Sequence, residues 1–162
     1  MDADGLSADQ LIARWALAPH PEGGWYRRLY ASALPVSAGA FERPAVTSIV
    51  YLLRAGERSR WHRVASDELW HFYGGAPLTL LRADHGFDEV EQLRLGAAVR
   101  GEVPMHAIAA GAWQAAESTG AYSLVGCTVA PGFDFKDFEL LADDPAAAAR
   151  LRDRWPAWTA WL

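Results

Sequence analysis

The apolar positions change period twice along this chain. Leu11, Ile12, Trp15 and Ala16 recur at helical spacing, and Ser7 with Gln10 three residues later forms a capping box at the helix start. A helix is expected over 7–17, and it must stop before Pro19. Pro19-His20-Pro21-Glu22-Gly23-Gly24 then reads as a rigid, sharply turning segment. Beyond it come short β-branched and aromatic runs at 25–32, 45–53, 68–73, 77–83, 89–95, 105–108, 113–116 and 121–130, most of them closed by glycine or aspartate turns. Helical spacing returns only after Asp144, an N-cap followed by Pro145 at the first helical position, and Pro156 ends that helix.

Strands at this spacing with glycine turns predict an all-β sandwich or barrel. A parallel α/β fold would need amphipathic helices between the strands, and none is seen. The chain reads as one domain over 1–162, with a barrel core from about 20 to 140 and helical additions at 7–17 and 144–155.

Composition narrows the function classes. A length of 162 residues suits one domain able to bury a core without disulfides, and a single cysteine, Cys127, excludes a disulfide framework and a cysteine-cluster zinc site. The net charge of -5 argues against nucleic acid as the partner. Although 51% of residues are hydrophobic, no unbroken apolar run is long enough for a membrane span, so no membrane partner is expected. The acidic, polar start does not read as a signal peptide, which suggests a cytoplasmic protein.

Candidate chemistry concentrates in residues 56–75. If these form two strands with a bend at 65–67, alternation places Arg60, His62 and Val64 on one face and Glu68, Trp70 and Phe72 on one face of the next strand. A histidine and a carboxylate inside an aromatic-lined barrel can ligate a metal or act as an acid/base pair. The same residues also fit two plainer readings. Ser66-Asp67-Glu68 can cap a short helix with apolar residues in the core, and Arg60 can pair with Glu68 in a static buried network.

Gly56, five residues, His62, one residue, Val64, three residues, Glu68, six residues and Gly75 together resemble the first cupin motif, with Val64 in place of its second histidine. A degenerate second motif lies at 109–114, where Gln114 takes the position of the third histidine. The turn at 19–24, the segment 59–70 and residues 125–135 are similar to one cupin subfamily, whose members are described as predicted sugar epimerases. This resemblance runs in order from about Leu17 to Leu140. It implies a jelly-roll barrel with a ligand pocket in its mouth, and a homodimer.

The resemblance also frames the metal question. Three histidines and a glutamate hold iron, manganese or nickel. Here only His62, Glu68 and the weak amide Gln114 remain, so no cofactor is expected, with those three as the ligand set if a divalent transition metal is bound. The first functional reading is a small-molecule-binding cupin acting as a metal-independent isomerase or epimerase on a sugar-like or keto-acid-like ligand. His62 would be the catalytic base and Glu68 would orient it, with Arg60 on an anionic or enolate group. Trp70, Phe72, Tyr51 and Gln114 would line the ligand site. The alternatives are a metal-dependent, dioxygenase-like enzyme and a non-enzymatic binding or sensing protein.

His20 and Glu22 read as structural, at a dimer contact, and Cys127 as an inert buried thiol. Of the eight tryptophans, Trp70 is expected on the pocket face. Trp61 and Trp113 should point away, and those near the C-terminus should cover a barrel face or a partner.

Overall fold

The computed structural model describes residues 5–162; residues 1–4, where the acidic start begins, lie outside the described residues. The first helix, α1 (Ala8–Trp15), forms with the expected capping box: the Ser7 side chain accepts from Gln10 N and the Gln10 side chain accepts from Ser7 N. The strands are β1 (Ala18–Pro19), β2 (Trp25–Ala31), β3 (Pro35–Ala38), β4 (Phe41–Pro44), β5 (Thr47–Arg54), β6 (Arg58–Val64) and β7 (Asp67–Gly75). They continue as β8 (Leu78–Ala83), β9 (Val90–Leu95), β10 (Met105–Ile108), β11 (Trp113–Ser118), β12 (Tyr122–Ala130) and β13 (Phe138–Leu140). The second helix, α2 (Pro145–Arg154), is capped by Asp144, whose side chain accepts from Ala147 N.

One sheet runs β1-β2-β5-β12-β7-β10 and the other β13-β6-β11-β8-β9, with antiparallel neighbours throughout. A hairpin, β3–β4, stands apart from both. This is a jelly-roll barrel with two short helices, as the strand spacing predicts. Residues 65–67 form no capped helix: β6 and β7 run into each other through a short bend. That bend sends the chain from one sheet to the other, so β6 and β7 face each other across the interior.

Three apolar clusters hold the layers. Between the sheets, Tyr51, Leu53, Trp70, Leu78, Leu80 and Val125 are packed at one end of the barrel. Outside the five-stranded sheet, Trp61, Phe87 and Trp113 are covered by Ala147, Ala148 and Leu151 of α2 and by Trp155, Trp158 and Trp161. The indole N–H of Trp61 donates to Trp158 O at 3.1 Å, and that of Trp155 to Phe87 O at 2.9 Å, which fixes the tail as well as burying it. Outside the six-stranded sheet, Leu11 of α1 packs with Leu17, Val50, Leu52 and Tyr122. Each terminal helix therefore seals one outer face, and the barrel's open end is left for chemistry. Among the described residues, no helix is long and apolar enough to cross a membrane.

Candidate functional site

The open end holds a cavity of about 530 Å³, inside the ~300–1,000 Å³ range of small-molecule sites. His20, Glu22, His62 and Glu68 form its polar part, with Ile49, Val64, Cys127 and Val129 among its apolar walls and Phe133 and Phe135 at one side. Arg27, Arg28 and Asp134 supply the remaining charge around it.

Glu22 reaches this place because the turn after β1 folds back across the barrel end. His20 N donates to Gly24 O and Gly23 N to His20 O, both at 2.9 Å, closing the turn. Arg60 N then donates to Glu22 O at 2.9 Å, which ties the turn to the opposite sheet. The Tyr51 hydroxyl donates to Gly23 O at 2.6 Å from below. The Glu22 carboxyl is thereby buried, and its Oε1 accepts from Ser59 Oγ at 2.7 Å.

Hydrogen-bond chemistry assigns the protons around Glu22. His62 Nδ1 lies 2.7 Å from Arg60 O. A carbonyl only accepts, so Nδ1 carries the proton, and in a neutral ring Nε2 is bare. That Nε2 lies 3.3 Å from Glu22 Oε2. His20 Nδ1 accepts from Glu22 N at 3.2 Å, so it too is bare, and it lies 3.4 Å from the same Oε2. Two bare nitrogens around one carboxyl oxygen call for a single proton, held on Glu22 and shared with His62. The electrostatics lean the same way: burial raises the pKa of Glu22 and lowers those of His20 and His62, which favours the neutral forms of all three.

Across the cavity, Glu68 is held by a relay. The Trp70 indole N–H, which can only donate, reaches Gln114 Oε1 at 2.8 Å. Gln114 must then present its amide N–H to Glu68, and Nε2 donates to Glu68 Oε2 at 2.6 Å. All three side chains are buried, and the relay crosses from β7 to β11 and back. Burial pushes the Glu68 carboxyl up to about 7, while the His62 ring, the Gln114 amide and the Cys127 thiol each pull it down. Burial, and after it the neighbouring Glu68 and Glu22, push the Cys127 thiol well above its ordinary value.

The raised pKa of Glu68 has a consequence for stability. A carboxyl that binds its proton more tightly when folded loses stability as pH rises from its unfolded value towards its folded one. The two histidines, lowered on folding, act in the opposite direction below about 6.5. Above that pH the carboxyls act alone. Urea denaturation should show stability falling by ~1 kcal/mol or more between pH 6.5 and 8, and Glu68→Gln, which keeps an acceptor for Gln114, should flatten most of that slope. An unchanged slope in the variant would assign it elsewhere.

Of the residues singled out in the sequence, His62 and Glu68 line the cavity; Arg60, Tyr51, Trp70, Phe72 and Gln114 do not. The group touching His62 Nε2 is Glu22, not Glu68. Arg60 is displaced by a bulge: Ser59 pairs with Ala116 and His62 with Gln114, so Arg60 and Trp61 together oppose Ala115. Alternation slips by one residue there, Ser59 takes the inward place, and the Arg60 guanidinium turns to Pro21 O at 2.8 Å and Glu22 O. No ion pair joins it to Glu68. Tyr51 and Trp70 sit one layer behind the cavity wall, edge to face at 5.9 Å, and Phe72 packs against the same cluster.

Gln114 Oε1 is turned to Trp70 and away from the cavity, so His62, Glu68 and Gln114 do not converge as a metal-binding set. Among the described residues, no group of three His, Cys, Asp or Glu side chains is arranged to hold a metal ion. The residues that sequence reasoning underrated are His20 and Glu22, placed in the site by the turn at 19–24, and the aromatic wall of Phe133, Phe135 and Phe138. His62 lies 5.5 Å from Phe138 and His20 lies 5.9 Å from Phe135, centroid to centroid. Arg43 fixes that segment by a two-pronged pair to Asp137 at 2.7 and 2.8 Å.

Comparison with known proteins agrees with this architecture. The family model described as Cupin superfamily (DUF985) matches residues 9–141. A hypothetical protein from Leishmania major superposes with a TM-score of 0.82 at 32% identity, covering 96% of each chain. A protein from Shewanella oneidensis gives 0.80 at 34% identity, over 96% of this chain and 94% of that one. Oxalate decarboxylase from Bacillus subtilis, at 12% identity and a TM-score of 0.59, covers 85% of this chain but 34% of its own and shares the fold alone. A search of curated proteins finds no match. On the family match and the similarity to these two proteins over nearly their whole chains, this chain belongs to the DUF985 family of the cupin superfamily.

Proposed function

We propose that this cupin binds a small carbonyl compound, sugar-like or keto-acid-like, and moves a proton on its carbon skeleton as an isomerase or epimerase, using no metal. The observation that carries this reading is the pair of carboxyls facing one cavity from different sides. Glu22 Oε2 lies 3.3 Å from His62 Nε2, and burial pushes the Glu68 carboxyl up to about 7. A base titrating near neutrality is best placed to take and return a proton at working pH. Glu68, when ionised, takes the proton from the carbon next to the carbonyl, and the C–H electron pair becomes the enol double bond. The proton on Glu22 passes to the carbonyl oxygen, leaving an enol. Isomerisation follows when Glu68 gives its proton to the former carbonyl carbon while the hydroxyl on the first carbon gives its own to Glu22, which restores both carboxyls. Inversion follows when the enol hydroxyl proton returns through Glu22 to the opposite face of the first carbon, after which Glu68 loses a proton to solvent and Glu22 regains one.

Roles thus shift from the first reading of the sequence: Glu68 acts as base, and the Glu22–His62 pair as acid. Gln114 positions Glu68 by donating to Oε2, and Trp70 holds the Gln114 amide in the orientation that does so. Incubation in deuterium oxide with pyruvate, dihydroxyacetone phosphate and fructose 6-phosphate tests the reading. Proton NMR should show deuterium entering next to the carbonyl of at least one probe faster than in buffer, with a pH limb near 7. Saturable binding without exchange would favour a non-enzymatic binding protein and overturn this proposal, as would the absence of binding and exchange for all three.

A further inference from the structure

Two cations stand at the cavity with no carboxylate partner among the described residues. Among the described residues, Arg27 Nη1 donates to Trp15 O, at 3.2 Å, and Arg28 Nη2 to Phe133 O, at 3.3 Å, and neither forms an ion pair. Arg43, Arg63 and Arg94, by contrast, each hold a carboxylate. A guanidinium has five N–H donors, so each of the two has most of its donors open to solvent. Their positions follow from the strand. Arg28 pairs with Ile49, a cavity residue, and the next pair joins Tyr30 to Ser48, so Leu29 is an extra residue that bends β2 at this point. Arg27 meanwhile leans on the end of α1, and both side chains reach the cavity.

From these positions we infer that the ligand carries an anionic group, a carboxylate or a phosphate, held at the cavity mouth by Arg27 and Arg28, with its reacting carbonyl inside. This rests on the proton-transfer reading for the inner end only. The polarity of the cavity supports it. Both arginines are exposed, whereas Glu22, His62 and Glu68 are buried, so cations and proton carriers occupy opposite ends. Asp134 also lies at the cavity but pairs with neither arginine; its side chain accepts from Lys136 N. A chain with net charge -5 repels anions on average, so a local pair of free guanidiniums is what would admit one.

The test compares matched probes by NMR titration: pyruvate with pyruvamide, and dihydroxyacetone phosphate with dihydroxyacetone. The wild-type protein should bind at least one charged member more tightly than its neutral partner. The better-bound charged member then tells carboxylate from phosphate. The double variant Arg27→Gln/Arg28→Gln should weaken the anion about 10-fold or more while leaving the neutral probe within about 2-fold. Added sodium chloride should erode the preference in the wild-type protein, a check that needs no variant. Equal affinity within both pairs, an unchanged preference in the double variant, or no saturable shift with any of the four probes would overturn the inference. Loss of deuterium exchange alone, with the charge preference intact, would refute the catalytic reading and leave this one standing.

Discussion

Replacing Glu22 with glutamine lowers deuterium exchange into a bound carbonyl compound by about 100- to 10,000-fold, the range expected when one positioned acid is lost. The substitution is close to a pure deletion of the proton. Glutamine is isosteric, its oxygen can still accept from Ser59, and its amide N–H can still donate to bare His62 Nε2. Packing around the turn is therefore preserved while the transferable proton is gone. Stability provides an internal control. Burial raises the Glu22 pKa, so the native state is penalised for ionising it, and Glu22→Gln should hold or gain stability at pH 8 even as exchange collapses. Because Glu22 and His62 share one proton, His62→Gln should cost a similar factor, and the double variant little more than either alone. Exchange within about threefold of wild type in Glu22→Gln would remove Glu22 from the chemistry.

The sheets, the two capped helices and the outward packing of Trp61 and Trp113 were legible in the sequence because they depend on local signals. Period-2 alternation, glycine turns and the Ser7 and Asp144 caps each act over a few residues. Trp70, expected on the pocket face, points into the barrel but lies behind the cavity wall, because the interior is apolar and closed at one end. Alternation carries no information on depth, so it could not separate Glu68, at the cavity, from Trp70 two residues further along the same strand.

Arg60 shows a second kind of limit. Its displacement comes from one extra residue in β6 relative to β11, a property of pairing between strands and not of either strand alone. Glu22 shows a third. Its segment has no periodicity to read, and its place in the site is set by hydrogen bonds from Tyr51 and Arg60, far along the chain. Two prolines and two glycines around a histidine and a glutamate were the available signal. Polar, titratable residues in so constrained a turn are held in a fixed place, and the place proves to be the cavity.

That constraint can be tested at Gly23. Its φ is +111°, where side chains are strained, and a β-carbon built there would meet the backbone oxygen of Arg58 at 2.1 Å. No rotamer change relieves a contact between a β-carbon and a carbonyl, so Gly23→Ala must push the turn away from β6. The displaced bonds are those that place Glu22: Arg60 N to Glu22 O, Tyr51 Oη to Gly23 O, and Ser59 Oγ to the carboxyl. Backbone strain of this kind costs ~1–3 kcal/mol, and each buried hydrogen bond lost adds ~1 kcal/mol or more. A loss of about 3–5 kcal/mol corresponds to a fall in Tm of roughly 10 °C for a domain this size. Exchange should fall with it even at temperatures where the variant is folded, since Glu22 no longer meets His62. Gly39→Ala in the β3–β4 hairpin is the matched control. Its φ is +61°, but nothing lies within 4 Å of the added carbon, so it should cost only ~1 kcal/mol of strain and leave exchange unchanged. If Gly23→Ala proved no more costly than Gly39→Ala in both melting and exchange, the turn at 19–24 would not be what holds Glu22 in the site.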